Sequence, residues 1–299
     1  MPAIVGPDTL LEDAARFAAH PDFGAAILAY TAGLARLREA PRLVNMVIST
    51  DVRWRVVGYL MYLDADRERF GPLGGATFSR LLEACMARNE ASPRAVRSVL
   101  ALLQFGGLVR VVPSLSDRRV RFYRPTERMF GFVRQWLGYG TAALDILEPE
   151  LERSRLIDDQ AFMDAYSVSG GRAHLQDPVP LVDRVPAPLS SLKHMLGSYS
   201  VIVAVVLARL EGRAAPSHHD MARRYGLSRA QVSNVMAAGL NQGLFTLDAS
   251  GNIEPTSQLR AGFQHWISIE LAFYARHMRL PATSAVYNTP EIRRAPHQA

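Results

Sequence analysis

Ten arginines lie between Arg88 and Arg134, opposed only by Glu90, Asp117 and Glu127. The segment carries a net charge of +7 in a chain whose total is +6. Guanidinium groups at this density suit the phosphate oxygens of a nucleic-acid backbone, which they meet with charge and with paired N–H donors. They fall into two sets. Arg94 and Arg97, with Ser98, occupy the polar side of a helical pattern whose other side is Val96, Val99, Leu100 and Leu103. Arg118, Arg119 and Arg121 follow a turn-like stretch and alternate with bulkier residues. The first set, with Ser92 just ahead of it, suits base edges or phosphates in a major groove, where arginine pairs with guanine O6 and N7. The second suits phosphate or a narrow minor groove, with Asp117 placed to orient a neighbouring arginine. A solvated helix face and a charged hairpin that blocks edge pairing are the plainer roles for the same residues.

The elements that must position these groups can be read from local signals. Ser92 is a good helix N-cap, and Pro93 suits the first helical position. Gly106-Gly107 ends the helix, giving a span of 93–105. Leu108 to Val112 and Arg118 to Tyr123 then read as a two-stranded hairpin with its tip in 113–121, and Thr126 caps the next helix.

The same plan recurs near the other end of the chain. Ser92, Val96, Val99, Ala101, Gly107 and Leu108 match Ser228, Val232, Val235, Ala237, Gly243 and Leu244 at a constant offset of 136. Pro125, Thr126 and Trp136 match Pro255, Thr256 and Trp266 at an offset of 130, so the second hairpin is six residues shorter. Internal duplication of one supersecondary unit is the economical explanation. In the second copy, Ala222, Gly226, Val232 and Val235 have the small–glycine–apolar–apolar spacing of a helix-turn-helix, with Ser217 capping its first helix. On its second helix, 229–241, Arg229, Gln231, Ser233 and Asn234 are the candidate base contacts. From Ser217 to Trp266 the net charge is only +1, which favours a packing role as the competing reading.

The stretch GGLVRVVPSLSDRRVRFYRPTERM resembles the wing of the MarR (multiple antibiotic resistance regulator) family. Asp117 and Arg119 fill that family's Asp-x-Arg wing tip, and Pro125-Thr126 stands where Leu-Thr is usual. The resemblance covers about 50 residues. It implies dimeric DNA binding, with recognition helices in successive major grooves and the wing arginine in a minor groove. It also implies a small-ligand pocket in some members. The second hairpin, LFTLDASGNIEP, lacks the Asp-x-Arg pair.

Composition sets the outer bounds. The chain has 299 residues, 48% hydrophobic and 21% charged, which is that of a folded protein with room for two domains. Its one cysteine, Cys85, excludes an internal disulfide and a cysteine-rich zinc site. No cationic-then-apolar leader is visible, and the apolar run 201–208 is far short of the roughly 20 residues that span a bilayer. A cytoplasmic location follows as an expectation. His218-His219-Asp220 reads as polar residues at a helix start, Trp136 and Trp266 as core anchors. Trp54, Tyr59 and Tyr62 on one early helix could line an effector pocket, although core packing is the commoner role.

The expected fold is mainly α: tandem winged helix-turn-helix units, each with a small hairpin wing, plus flanking dimerisation-type helices at roughly 10–40 and 141–166. The expected division is a first domain over 1–166, a linker over 167–190 rich in Pro and Gly, a second domain over 191–280 and a disordered tail over 281–299. The expected function is sequence-specific binding of double-stranded DNA by a transcriptional repressor. The two units would act as a pseudo-dimer in one chain or within a homodimer, with a small-molecule effector as an optional partner. No membrane partner, cofactor, metal or enzymatic activity is expected. A plasmid-type replication initiator and a winged-helix interaction scaffold are the competing functions.

Overall fold

The computed structural model describes residues 7–39, 51–71, 74–114, 117, 119–177, 179–193 and 195–278. Among the described residues the chain is mainly helical, with two small antiparallel two-stranded sheets. Helices α1 (Pro7–Ala18) and α2 (Phe23–Arg38) come first, separated near Pro21. The first unit follows: α3 (Asp51–Ala65), the short α4 (Arg67–Phe70), α5 (Phe78–Ala87), α6 (Pro93–Phe105), strands β1 (Val109–Pro113) and β2 (Arg121–Pro125), and α7 (Glu127–Leu147). Two 3-10 turns lead to α8 (Gln160–Gln176) and the one-turn α9 (Ala187–Ser190). The second unit is α10 (Ser198–Leu210), α11 (His218–Tyr225), α12 (Arg229–Asn241), strands β3 (Phe245–Leu247) and β4 (Ile253–Pro255), and α13 (Ser257–His277).

The recurrence of the plan is visible bond by bond. Gly107 and Gly243 take positive φ, +64° and +68°, at the end of α6 and α12, a conformation that glycine adopts without strain. The Thr126 hydroxyl donates to Gly107 O at 2.8 Å, and that of Thr256 to Gly243 O at 2.8 Å. Thr126 N donates to Leu108 O and Thr256 N to Leu244 O, both at 3.0 Å. The caps repeat too: Ser92 Oγ accepts from Ala95 N at 3.2 Å and Ser228 Oγ from Gln231 N at 3.1 Å.

Packing between the halves is reciprocal. The helix that precedes the first unit, α2, packs on α7 of that unit and on α10 of the other. The helix that precedes the second unit, α8, packs on α13 of that unit and on α3 of the other. The long helices α7 and α13 also touch, and the buried residues of both halves form one contiguous core. The flanking helices therefore join the halves to each other.

Two expected breaks are absent. Sequence signals place the linker's start at Ser167, yet α8 continues through Gly170 and Gly171 to Gln176. These glycines serve close approach: a Cβ on Gly171 would come within 2.5 Å of Tyr62. The sequence likewise reads one helix over 127–137 and a new one from Thr141, yet α7 passes unbroken through Gly138 and Gly140, and Tyr274 of α13 fills the space that a Cβ on Gly140 would need. Thr50, expected to cap α3, Pro178 within the expected linker, and the expected tail lie outside the described residues.

Candidate nucleic-acid interface

Helix α6 buries Val96, Val99, Leu100 and Leu103, and exposes Arg94, Arg97 and Ser98 on its other side. Phe78 on α5 supports this face, with the Arg97 guanidinium 5.0 Å over its ring. Ser92 is exposed, but its hydroxyl is engaged in capping. The hairpin follows directly, in the register Val109↔Pro125 to Pro113↔Arg121. Thr77 pairs with Phe122, and Tyr123 N donates to Ala76 O at 2.8 Å, so the segment before α5 steadies the hairpin as a third strand would. Arg119 and Arg121 are exposed near the tip. Asp117 Oδ1 accepts from the Arg119 main-chain N–H at 2.9 Å, so this carboxylate shapes the backbone that presents Arg119. Arg118 lies outside the described residues.

Charge density overstated the free surface. Arg124 lies 2.5 Å from Asp64, whose carboxylate is buried. Arg88 lies 3.5 Å from Glu90, and Arg134 donates to Gln160 at 2.9 Å. Arg128 donates to Gly106 O at 2.8 Å, fastening the start of α7 to the end of α6. These four arginines hold the unit together. Arg94, Arg97, Arg110, Arg119 and Arg121 are exposed and form no ion pair among the described residues. Sequence reasoning counted Arg110 without singling it out; its signal is the alternation of β1, in which buried Val109 is followed by exposed Arg110.

In the second unit Ala222, Val232 and Val235 are buried and Gly226 makes the turn at φ +66°. Arg229, Ser233 and Asn234 are exposed along α12. Gln231 is committed to a capping box: its side-chain oxygen accepts from Ser228 N at 2.8 Å while its own N–H donates to Ser228 Oγ. Arg229 is 2.8 Å from His219 Nδ1, which ties the two helices together at their exposed ends. The short hairpin closes on Asp248, whose carboxylate accepts from the main-chain N–H groups of Ser250 and Asn252, both at 2.8 Å. These bonds, the Asn252 side chain's first, hold the Asp248 carboxyl below its usual pKa.

Neither protein-family models, curated proteins nor solved structures give a match to this chain. Geometry alone therefore carries the functional reading. Among the described residues no group of three or more His, Cys, Asp or Glu is arranged to hold a metal ion, and no helix is long and apolar enough to cross a membrane.

Proposed function

We propose that the chain is a sequence-specific double-stranded DNA-binding transcriptional regulator, with two winged helix-turn-helix units arranged as a pseudo-dimer. In this reading α6 and α12 are the recognition helices, and β1–β2 is a wing of the kind found in MarR proteins. The observation that carries it is the set of five exposed arginines without an ion pair on α6 and its hairpin, in a stretch whose other described arginines, Arg88, Arg124, Arg128 and Arg134, are tied within the chain. Arginines without carboxylate partners are available to phosphates and keep the affinity dependent on salt. Phosphate contacts position such a protein, and a few side chains on the two helices supply base preference. The unequal units imply an asymmetric operator.

The test is binding to genomic duplex fragments across a salt series, followed by footprinting of the selected sites. Affinity should fall steeply and linearly in log–log form as salt rises. Negligible binding at low salt, or binding unchanged in Arg94→Ala/Arg119→Ala, would sink the reading and favour a protein-interaction scaffold.

A further inference from the structure

A cavity of about 590 Å³ lies where the two halves meet, a size that takes an organic ligand. Its walls come from both: Trp54 of α3 and Trp136 of α7 on one side, Tyr199 of α10 and Trp266 of α13 on the other. The Trp54 and Trp136 rings are 4.5 Å apart, and those of Tyr199 and Trp266 are 4.9 Å apart. The turn residues Gly226 and Leu227 reach the same space from the second unit.

Within this aromatic wall stands one carboxyl group, Glu270 of α13, 8% exposed. Its Oε1 accepts from the Tyr274 hydroxyl at 2.8 Å, whereas Oε2 is enclosed without a hydrogen-bond partner among the described residues. Burial raises its pKa to about 7, against the lowering effects of Tyr274, Tyr30 and Arg38. Native proteins seldom leave an enclosed acceptor unpaired. Of the cations in the wall, Lys193 is exposed and two others are engaged within the chain. Arg55 bonds Glu90 and Asp183 at 2.5 and 2.8 Å, and the Arg38 guanidinium lies 4.0 Å over the Tyr199 ring. With Arg38 balancing Glu270, the interior favours an uncharged guest.

We propose that the cavity is a binding site for an uncharged planar aromatic molecule whose N–H or O–H donates to Glu270 Oε2. Its ring would lie among the tryptophan and tyrosine rings from both halves, so one ligand would touch both units. This site stands independently of DNA binding.

The experiment uses the full chain alone at pH 8, where Glu270 is ionised, with two probes of one shape. Carbazole carries the N–H donor and dibenzofuran replaces it with an ether oxygen. Titration followed by tryptophan fluorescence should show both binding, carbazole roughly 10-fold tighter, the value of one hydrogen bond to a charged group. In Glu270→Met that preference should vanish while dibenzofuran still binds, which also shows that the cavity is intact. Equal affinities in the native chain, a preference that survives in Glu270→Met, or no binding by a natively folded chain would each overturn the proposal.

Discussion

In the first unit, α6 and its hairpin present five unpaired arginines to solvent; in the second, α12 and a hairpin six residues shorter present Arg229, Ser233, Asn234 and an acidic tip. Beneath these surfaces the two scaffolds keep the same caps and the same threonine bonds to within 0.1 Å. Even the changes inside are compensated. Leu103 and Val109 of the first unit correspond to Gly239 and Phe245 of the second, all four buried or nearly so. Large-with-small has become small-with-large, and a Cβ on Gly239 would already overlap the Phe245 ring. Between the two units packing volume is kept while surface charge is not. That is the pattern expected when both units must fold but only one must grip a polyanion.

The largest expected effect tests the surface half of that contrast. Replacing Arg94, Arg97, Arg119 and Arg121 together by Ala should lower duplex-DNA affinity by roughly three orders of magnitude, taking about 1 kcal/mol per contact. The slope of log affinity against log salt should shrink by about 3 to 4. Arg229→Ala should change that slope by about 1 or less, and a larger change would erase the proposed asymmetry.

The core half is tested next. Gly239→Leu should destabilise the chain by about 3 kcal/mol in denaturant unfolding, through overpacking against Phe245. Gly239→Leu/Phe245→Val, which copies the first unit's pair, should recover most of that loss. Strictly additive effects would show that the two positions do not share one volume.

A third contrast pairs Glu270 with Gly140, its counterpart at the offset of 130. Tyr30 and Arg38 of α2, Tyr166 of α8, Tyr199 of α10 and Tyr274 surround Glu270. Its folded pKa is raised from 4.5 to about 7, so below about 4.5 it is protonated in both states and costs nothing. As pH rises from there to about 7, the unfolded chain ionises first and stability drains away. Glu270→Gln should therefore be more stable than the native chain at pH 8, by up to about 3 kcal/mol, with the difference shrinking below pH 5. A pH-independent difference would contradict this. The smallest effect belongs to the caps, where Ser92→Ala and Ser228→Ala should each cost about 1 kcal/mol in thermal or denaturant melts.

What was legible in the sequence was local. The bounds of α6 and α12 follow from Ser-Pro and Ser-Arg starts and from glycines at their ends, because capping and positive φ are decided within a few residues. The glycines inside α7 and α8 misled because their partners, Tyr274 and Tyr62, stand more than a hundred residues away. The ties of Arg124 to Asp64 and of Arg134 to Gln160 were hidden as well, since composition cannot tell a paired arginine from a free one. Glu270 gave no signal at all, since one carboxyl in a helix reads as solvated until neighbouring helices cover it. For Trp54, Tyr59 and Tyr62 core packing is the commoner expectation, and Tyr59 and Tyr62 are buried in the core, while Trp54 and Tyr59 also line the cavity.

The crosswise seating of α2 and α8 has an evolutionary consequence. A homodimer repeats every mutation in both subunits, so neither surface can change without the other. Here a single polypeptide encodes the two units separately, and a substitution alters one of them only. Assembly also escapes dilution, because partners joined by a peptide chain never have to find each other.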